Sequence, residues 1–188
     1  MSTSPATCAI LARASVRRRR RAAVAEQLIA RAPHAVDTLD WDALNGAPEW
    51  MGWGPEPLDA LQLQVGALML APELRLWIDA PRLAAAMRAL GAPMLRALLA
   101  LPDSEVLPRD VAPAPHIERA EQVAPALRAC GAAVLLAALA AGELRQAATL
   151  LLTPARPSSM ASALARSLVA RATHLAAQLA APNAQEVA

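Results

Sequence analysis

Between Leu61 and Leu101 the chain reads LQLQVGALMLAPELRLWIDAPRLAAAMRALGAPMLRALLAL, with apolar residues at helical spacing and single Pro and Gly residues cutting the run into short helices. Leu58, Leu61, Val65 and Leu68 form one stripe and predict a helix starting near Glu56. Pro72 opens a short turn carrying Leu74, Arg75, Trp77 and Ile78. Asp79 stands where an N-cap is needed, with Pro81 in the first turn of the helix it would open. Leu83, Met87 and Leu90 are the predicted buried face of that helix, and Gly91 is placed to end it in left-handed geometry. Pro93 then restarts a helix through Leu101.

The flanks extend the same pattern. A helical stretch is expected over Ala22 to Arg31, and a short helix over Asp37 to Asn45, with Asp37 as its cap and Gly46 just past its end. Residues 46–57, GAPEWMGWGPEP, read as an irregular connection holding Trp50, Met51 and Trp53. Residues 102–115, with Pro102, Pro108, Pro113 and Pro115, read as a loop between two helical halves. His116 to Ala141 reads as a long helix or a broken pair, kinked near its middle by Pro125. Val134, Leu135, Leu136 and Leu139 make it apolar nearly all round, as a central core helix would be. A helix over Glu143 to Leu152, a turn at Pro154 and Pro157, and a last helix capped by Ser158 or Ser159 and running to about Ala180 complete the body. The stripe of that last helix is Leu164, Leu168, Leu175 and Leu179. No strand-like alternation is present. The fold class is all-α, a compact multi-helix domain of short Pro- and Gly-punctuated helices. Residues 32–181 are expected to form it, after a basic segment 1–31 that is partly disordered or helical, and before a disordered tail 182–188.

Composition agrees with the pattern. Of 188 residues, 49 are Ala and 30 are Leu, while Phe and Tyr are absent; strong helix formers dominate and strand formers are scarce. The net charge of +2 conceals an asymmetry: residues 1–31 hold seven Arg against one Glu, whereas residues 32–188 hold eleven Arg against fifteen acids. The basicity is therefore local, and a nucleic-acid-binding body is not implied. For Arg13 and Arg17 to Arg21 three readings stand open: a solvated helix start, an electrostatic contact with anionic lipid or an acidic partner, and a mitochondrial presequence. A secretory signal does not fit, because the residues after the charges include Glu26 and Arg31. The longest uncharged apolar run, Ala129 to Gly142, is too short for the roughly 20 residues a spanning helix needs.

Candidate chemistry is sparse. Cys8 and Cys130 lie in a predicted tail and in an apolar helix, which suits reduced, inert thiols. His34, His116 and His174 lack Cys or His at ligand spacing, and the Asp37, Asp40 and Asp42 cluster lacks the Gly-bearing turn of a cation loop. Glu118 and Glu121 share a helix with Arg119 and read as solvated. Neither a metal nor a cofactor is expected, and no catalytic residue stands out. Arg75, Arg82, Arg88 and Arg96 fall mostly off the apolar stripe, as a solvated face or a docking surface would. Trp50 and Trp53 either tuck their loop onto the core or anchor a partner. Trp50, Trp53, Arg75 and Arg82 are the candidate partner-binding residues.

The stretch VGALMLAPELRLWIDAPRLAAAMRALGAPMLRALLALPDSEVLP resembles the SctK family of bacterial type III secretion, the YscK-like sorting-platform adaptors and their plant-pathogen Hrp counterparts. The shared layout is a helix ending near Gly66, then Leu74–Arg75 with Ile78, a helix at Leu83, then Leu95–Arg96 and an exit bearing Pro102 and Pro108. The segment from Trp41 to Trp53 and the Ala/Leu helix after Pro125 also correspond, so the resemblance covers roughly residues 38–155; the Arg-rich start and Ala-rich end depart from it. It implies a helical, non-enzymatic cytosolic adaptor that links the SctD-type inner-membrane ring protein to the SctQ-type pod protein at the cytosolic face of the inner membrane. A helical chaperone or regulator of unrelated function is the alternative.

Overall fold

The computed structural model describes residues 5–107, 115–153 and 159–181. The expected loop residues Pro108, Asp110 and Pro113, the turn at Pro154 and Pro157, Ser158 and the tail 182–188 lie outside the described residues. The fold is all-α: eight helices joined by short 3-10 turns, with no strand among the described residues. They are α1 (Pro5–Arg31), α2 (Pro55–Met69), α3 (Ala71–Leu74), α4 (Ala80–Leu90), α5 (Ala92–Leu99), α6 (Val123–Ala138), α7 (Glu143–Leu151) and α8 (Ser162–Ala180). Contacts divide the chain into two compact units, 1–58 with 140–152, and 59–139 with 153–188.

In the first unit α1 packs on the 3-10 turns and on α7. Val24 and Leu28 are wholly buried, as are Leu44, Ala47 and Met51 on the turns. The turn Glu49–Gly52 lies so close to α1 that a Cβ at Gly52 would stand 2.9 Å from the Cβ of Ala23. The single helix expected over Asp37 to Asn45 is replaced by two 3-10 turns, Pro33–Thr38 and Ala43–Gly46. Between them the Asp40 carboxylate accepts the Asp42 N–H at 2.9 Å, a local bond that competes with helical pairing. At the end of α1, Arg31 donates to the Leu151 carbonyl at 2.5 Å and ties α7 to it.

The second unit is built on α6. Val123, Leu127, Val134 and Leu135 are wholly buried there, as the all-round apolar pattern predicts. The helix starts at Val123, however, so Pro125 sits in its first turn and kinks nothing; a missing N–H is harmless where no intrahelical acceptor exists. The α2 stripe is also as expected, with Leu58, Leu61, Val65 and Leu68 all buried. Gly66 lies in the last turn of α2, as expected, and at a backbone contact with α6. A Cβ on Gly66 would fall 1.9 Å from the Leu127 carbonyl oxygen, and one on Gly131 would fall 1.9 Å from that of Gln62. Beside this contact Arg128 grips Asp59 with Nε and Nη2 at 2.5 and 2.9 Å. That hydrogen bond, and then the charge of Asp59, raise the Arg128 guanidinium above its ordinary pKa against the opposing effect of burial. Gln62, a buried polar residue, accepts the Thr153 N–H at 3.1 Å.

Other local expectations change as well. On α4 the buried residues are Ala85 and Ala86, while Met87 is 46% exposed and Leu83 and Leu90 are half-buried. The small alanine face lets α4 lie against α5 and α6. Asp79 occupies the N-cap position, but its carboxylate bonds Arg82 rather than the helix backbone. Gly91 has positive φ, yet with φ 80° and ψ 150° it lies outside the left-handed helical region. It joins α4 directly to α5, which ends at Leu99 rather than Leu101. Finally, α8 is preceded by Ala161 with no side-chain cap, and its buried face is Ala165, Leu168 and Ala172. Leu164 and Leu175 are half-buried and Leu179 is exposed. The Arg171 guanidinium holds the carboxylate and carbonyl of Glu105, on the turn Asp103–Glu105.

Candidate functional site

Two of the four sequence candidates, Arg75 and Arg82, belong to one surface of the second unit. The link between α3 and α4 is held by turn hydrogen bonds, the Arg75 N–H donating to the Ala71 carbonyl at 3.1 Å and the Trp77 N–H to that of Leu74 at 3.3 Å, and the residues along it differ in exposure. Trp77 turns in and is buried, whereas Leu76 is 56% exposed and Ile78 is 95% exposed. An Ile so fully in water within an ordered link gains nothing from the fold that holds it. Arg75 stands beside them, paired with Asp103 at 2.8 Å.

Arg82 does several things at once. Its Nε lies 2.7 and 2.9 Å from the two Asp79 carboxylate oxygens, and its Nη1 donates to the Ile117 carbonyl at 2.9 Å. The guanidinium also covers the Trp77 ring, 5.1 Å from its centroid. The side chain thus fastens the start of α4 to the segment 115–118. That segment is further held by Gln122, whose Oε1 accepts the N–H groups of Glu118 and Arg119 at 3.0 and 3.1 Å. His116, at the exposed edge, lies 3.0 Å from Glu118.

The fastened segment divides two grooves. One, of about 330 Å3, runs over Leu70, Glu73, Leu76, Trp77 and Arg82. The other, of about 400 Å3, is mainly apolar and lies over Ile117, Pro125, Ala126, Ala129 and Cys130. Pro115, His116 and Ile117 are common to both. Chemically this surface offers apolar contact, fixed guanidinium groups and the polar side chains of Glu73, His116, Glu121 and Gln122. No cluster of three His, Cys, Asp or Glu in metal-holding geometry occurs among the described residues.

The tryptophan pair is separated in role. Trp50 is 6% exposed and belongs to the core of the first unit, which removes it from the surface candidates. Trp53 is half-buried and lines a cleft of about 390 Å3 with Val16, Arg19, Arg20, Ala23 and Glu49. Sequence reasoning passed over Leu76, Ile78 and Met87 as surface residues. The available signal was the LRLWID run, where three bulky apolar residues stand together and break the 3–4 spacing just before a cap.

No family model, no curated protein and no solved structure matches this chain.

Proposed function

We propose that the protein is a non-enzymatic adaptor of a bacterial type III secretion system, linking an SctD-type inner-membrane ring protein to SctQ-type pod proteins of the sorting platform. The observation that carries this reading is the Leu76–Ile78 ridge. It lies within the stretch that resembles the SctK family, exposes two bulky apolar side chains on an ordered link, and is flanked by the anchored guanidinium groups of Arg75 and Arg82. Apolar side chains beside fixed arginines are the usual centre of a protein contact. The adaptor would work at the cytosolic face of the inner membrane, and no described helix is long and apolar enough to cross a membrane. The apolar groove over Ile117, Pro125 and Ala129 favours a second reading, a helical chaperone or regulator that takes an apolar segment of another protein.

Co-purification from the native host tests the adaptor reading. The chain, tagged at its C-terminus and gently crosslinked, should bring down the pod and ring proteins, and Ile78→Ser should reduce their yield at least tenfold. Recovery of other proteins only, while the secretion system is expressed, would sink the adaptor reading and leave the second. Arg75→Gln with Asp103→Asn should act in the same direction as Ile78→Ser if the ridge is the contact.

A further inference from the structure

The arginine run on α1 divides into two groups. Arg20 and Arg21 are engaged: Arg20 reaches the Ala47 carbonyl at 3.5 Å and Arg21 pairs with Asp42 at 3.1 Å. Arg13, Arg17, Arg18 and Arg19 are exposed and make no ion pair among the described residues. Seven residues thus concentrate four cations without an ion pair among the described residues, Arg19 sharing a cleft with Glu49; Val24 and Leu28, further along the helix, are buried. Successive helical positions are about 100° apart, so Arg17, Arg18 and Arg19 fan over about 200° at nearly one level of the axis. Arg20 occupies the remaining side, and Arg21 lies one turn beyond Arg17 on the same face; both are bonded to residues of the same unit. Val16, 54% exposed, and Trp53 lie beside Arg19. On the N-terminal side of Arg13, the eight helical residues Pro5 to Ala12 include no charged residue, a length of about 12 Å.

We infer that α1 docks the protein on an anionic lipid bilayer, its arginine collar meeting the phosphate layer and the uncharged start of the helix entering the headgroup region. The geometry separates this from other polyanions. Along α1 the stripe Arg13, Arg17 and Arg21 has its last member paired with Asp42, so a nucleic acid or an acidic peptide lying lengthwise would meet only two unpaired cations. Cations fanned around one level suit a planar layer of charge approached by the helix end. An exposed valine and a tryptophan beside the collar add the apolar and aromatic contacts that interfacial helices use. This inference goes beyond the adaptor reading and stands without it.

Flotation of the full chain with vesicles tests it. Vesicles of 30 mol% phosphatidylglycerol in phosphatidylcholine should carry the protein upward at about 50 mM salt, and pure phosphatidylcholine vesicles should not. Partitioning should fall steeply as salt rises towards about 500 mM. The variant Arg17→Gln, Arg18→Gln, Arg19→Gln should lose roughly a hundredfold in partitioning, since each cation near such a surface is worth about a factor of five. The corresponding triple Lys variant should retain binding. The matched control Arg88→Gln, Arg96→Gln, Arg166→Gln removes the same charge from exposed positions elsewhere and should bind like the wild type. Circular dichroism melts of all variants should coincide, because the three collar side chains make no ion pair to lose. Equal loss in the control variant would reduce the effect to net charge and overturn the inference. So would absence of flotation at low salt, or charge-equivalent polyglutamate or duplex DNA displacing the vesicles completely.

Discussion

Replacing Gly131 by alanine probes the contact on which the second unit depends. An added Cβ would stand 1.9 Å from the Gln62 carbonyl oxygen and 2.6 Å from its carbon. Ordinary contact begins near 3.4 Å, so α2 and α6 must separate by about 1.5 Å. The obstacle is backbone within a helix, not the end of a flexible side chain, and it cannot turn aside. Overpacking of this kind costs about 3 kcal/mol at the upper end of its usual range. Alanine recovers about 1 kcal/mol through its better helix propensity. The net loss is about 2 kcal/mol, before any weakening of the Arg128–Asp59 clamp and the Gln62–Thr153 bond that flank the contact. For a chain of this length that is a fall in melting temperature of roughly 4–8 °C. The assay is thermal and urea unfolding followed by circular dichroism, with Gly66→Ala as a second probe of the same contact from α2. Gly54→Ala is the control, since a Cβ there meets nothing within 4 Å, and it should leave stability unchanged or slightly raised. A Gly131→Ala protein as stable as the wild type would refute the close-contact argument.

Other substitutions separate structural from contact roles. Arg82→Ala should cost about 1–2 kcal/mol, through the lost bond to Ile117 and the uncovered Trp77 ring, and should speed tryptic cleavage after Arg119, mapped by mass spectrometry. Arg82→Lys should restore little, because an ammonium cannot hold Asp79 and Ile117 in the same plane. Ile78→Ser should change urea stability by no more than about 0.5 kcal/mol, since the side chain is already in water; a larger loss would mean that Ile78 packs within the chain. Gly91→Ala should destabilise by about 1–2 kcal/mol, read from the same urea transitions, because φ 80° with ψ 150° is a region nearly confined to glycine.

Sequence by itself determined the class of fold and most of its punctuation. Helix propensity, the 3–4 spacing of Leu58, Leu61, Val65 and Leu68, and the positions of Pro72, Pro81, Pro93 and Gly142 are local quantities, and each marks or lies near a boundary in the structure. Where a second local interaction competed, sequence reading lost resolution: Asp40 engaged the backbone between the two 3-10 turns, and Arg82 took the carboxylate meant to cap α4. Which side is buried was legible locally on α2 but not on α4 or α8. In an Ala/Leu-rich chain both small and large faces can pack. The tertiary structure chose Ala85 and Ala86 on α4, and Ala165 and Ala172 on α8, because close approach rewards small side chains. The same holds for the surface. Arg75 and Arg82 could be named as candidates, but only folding showed that Ile78 stands in water, that Trp50 does not, and that Arg20 and Arg21 are engaged while Arg17, Arg18 and Arg19 are exposed. Those outcomes depend on residues tens of positions away, and the pattern within a window of one helix carries no record of them.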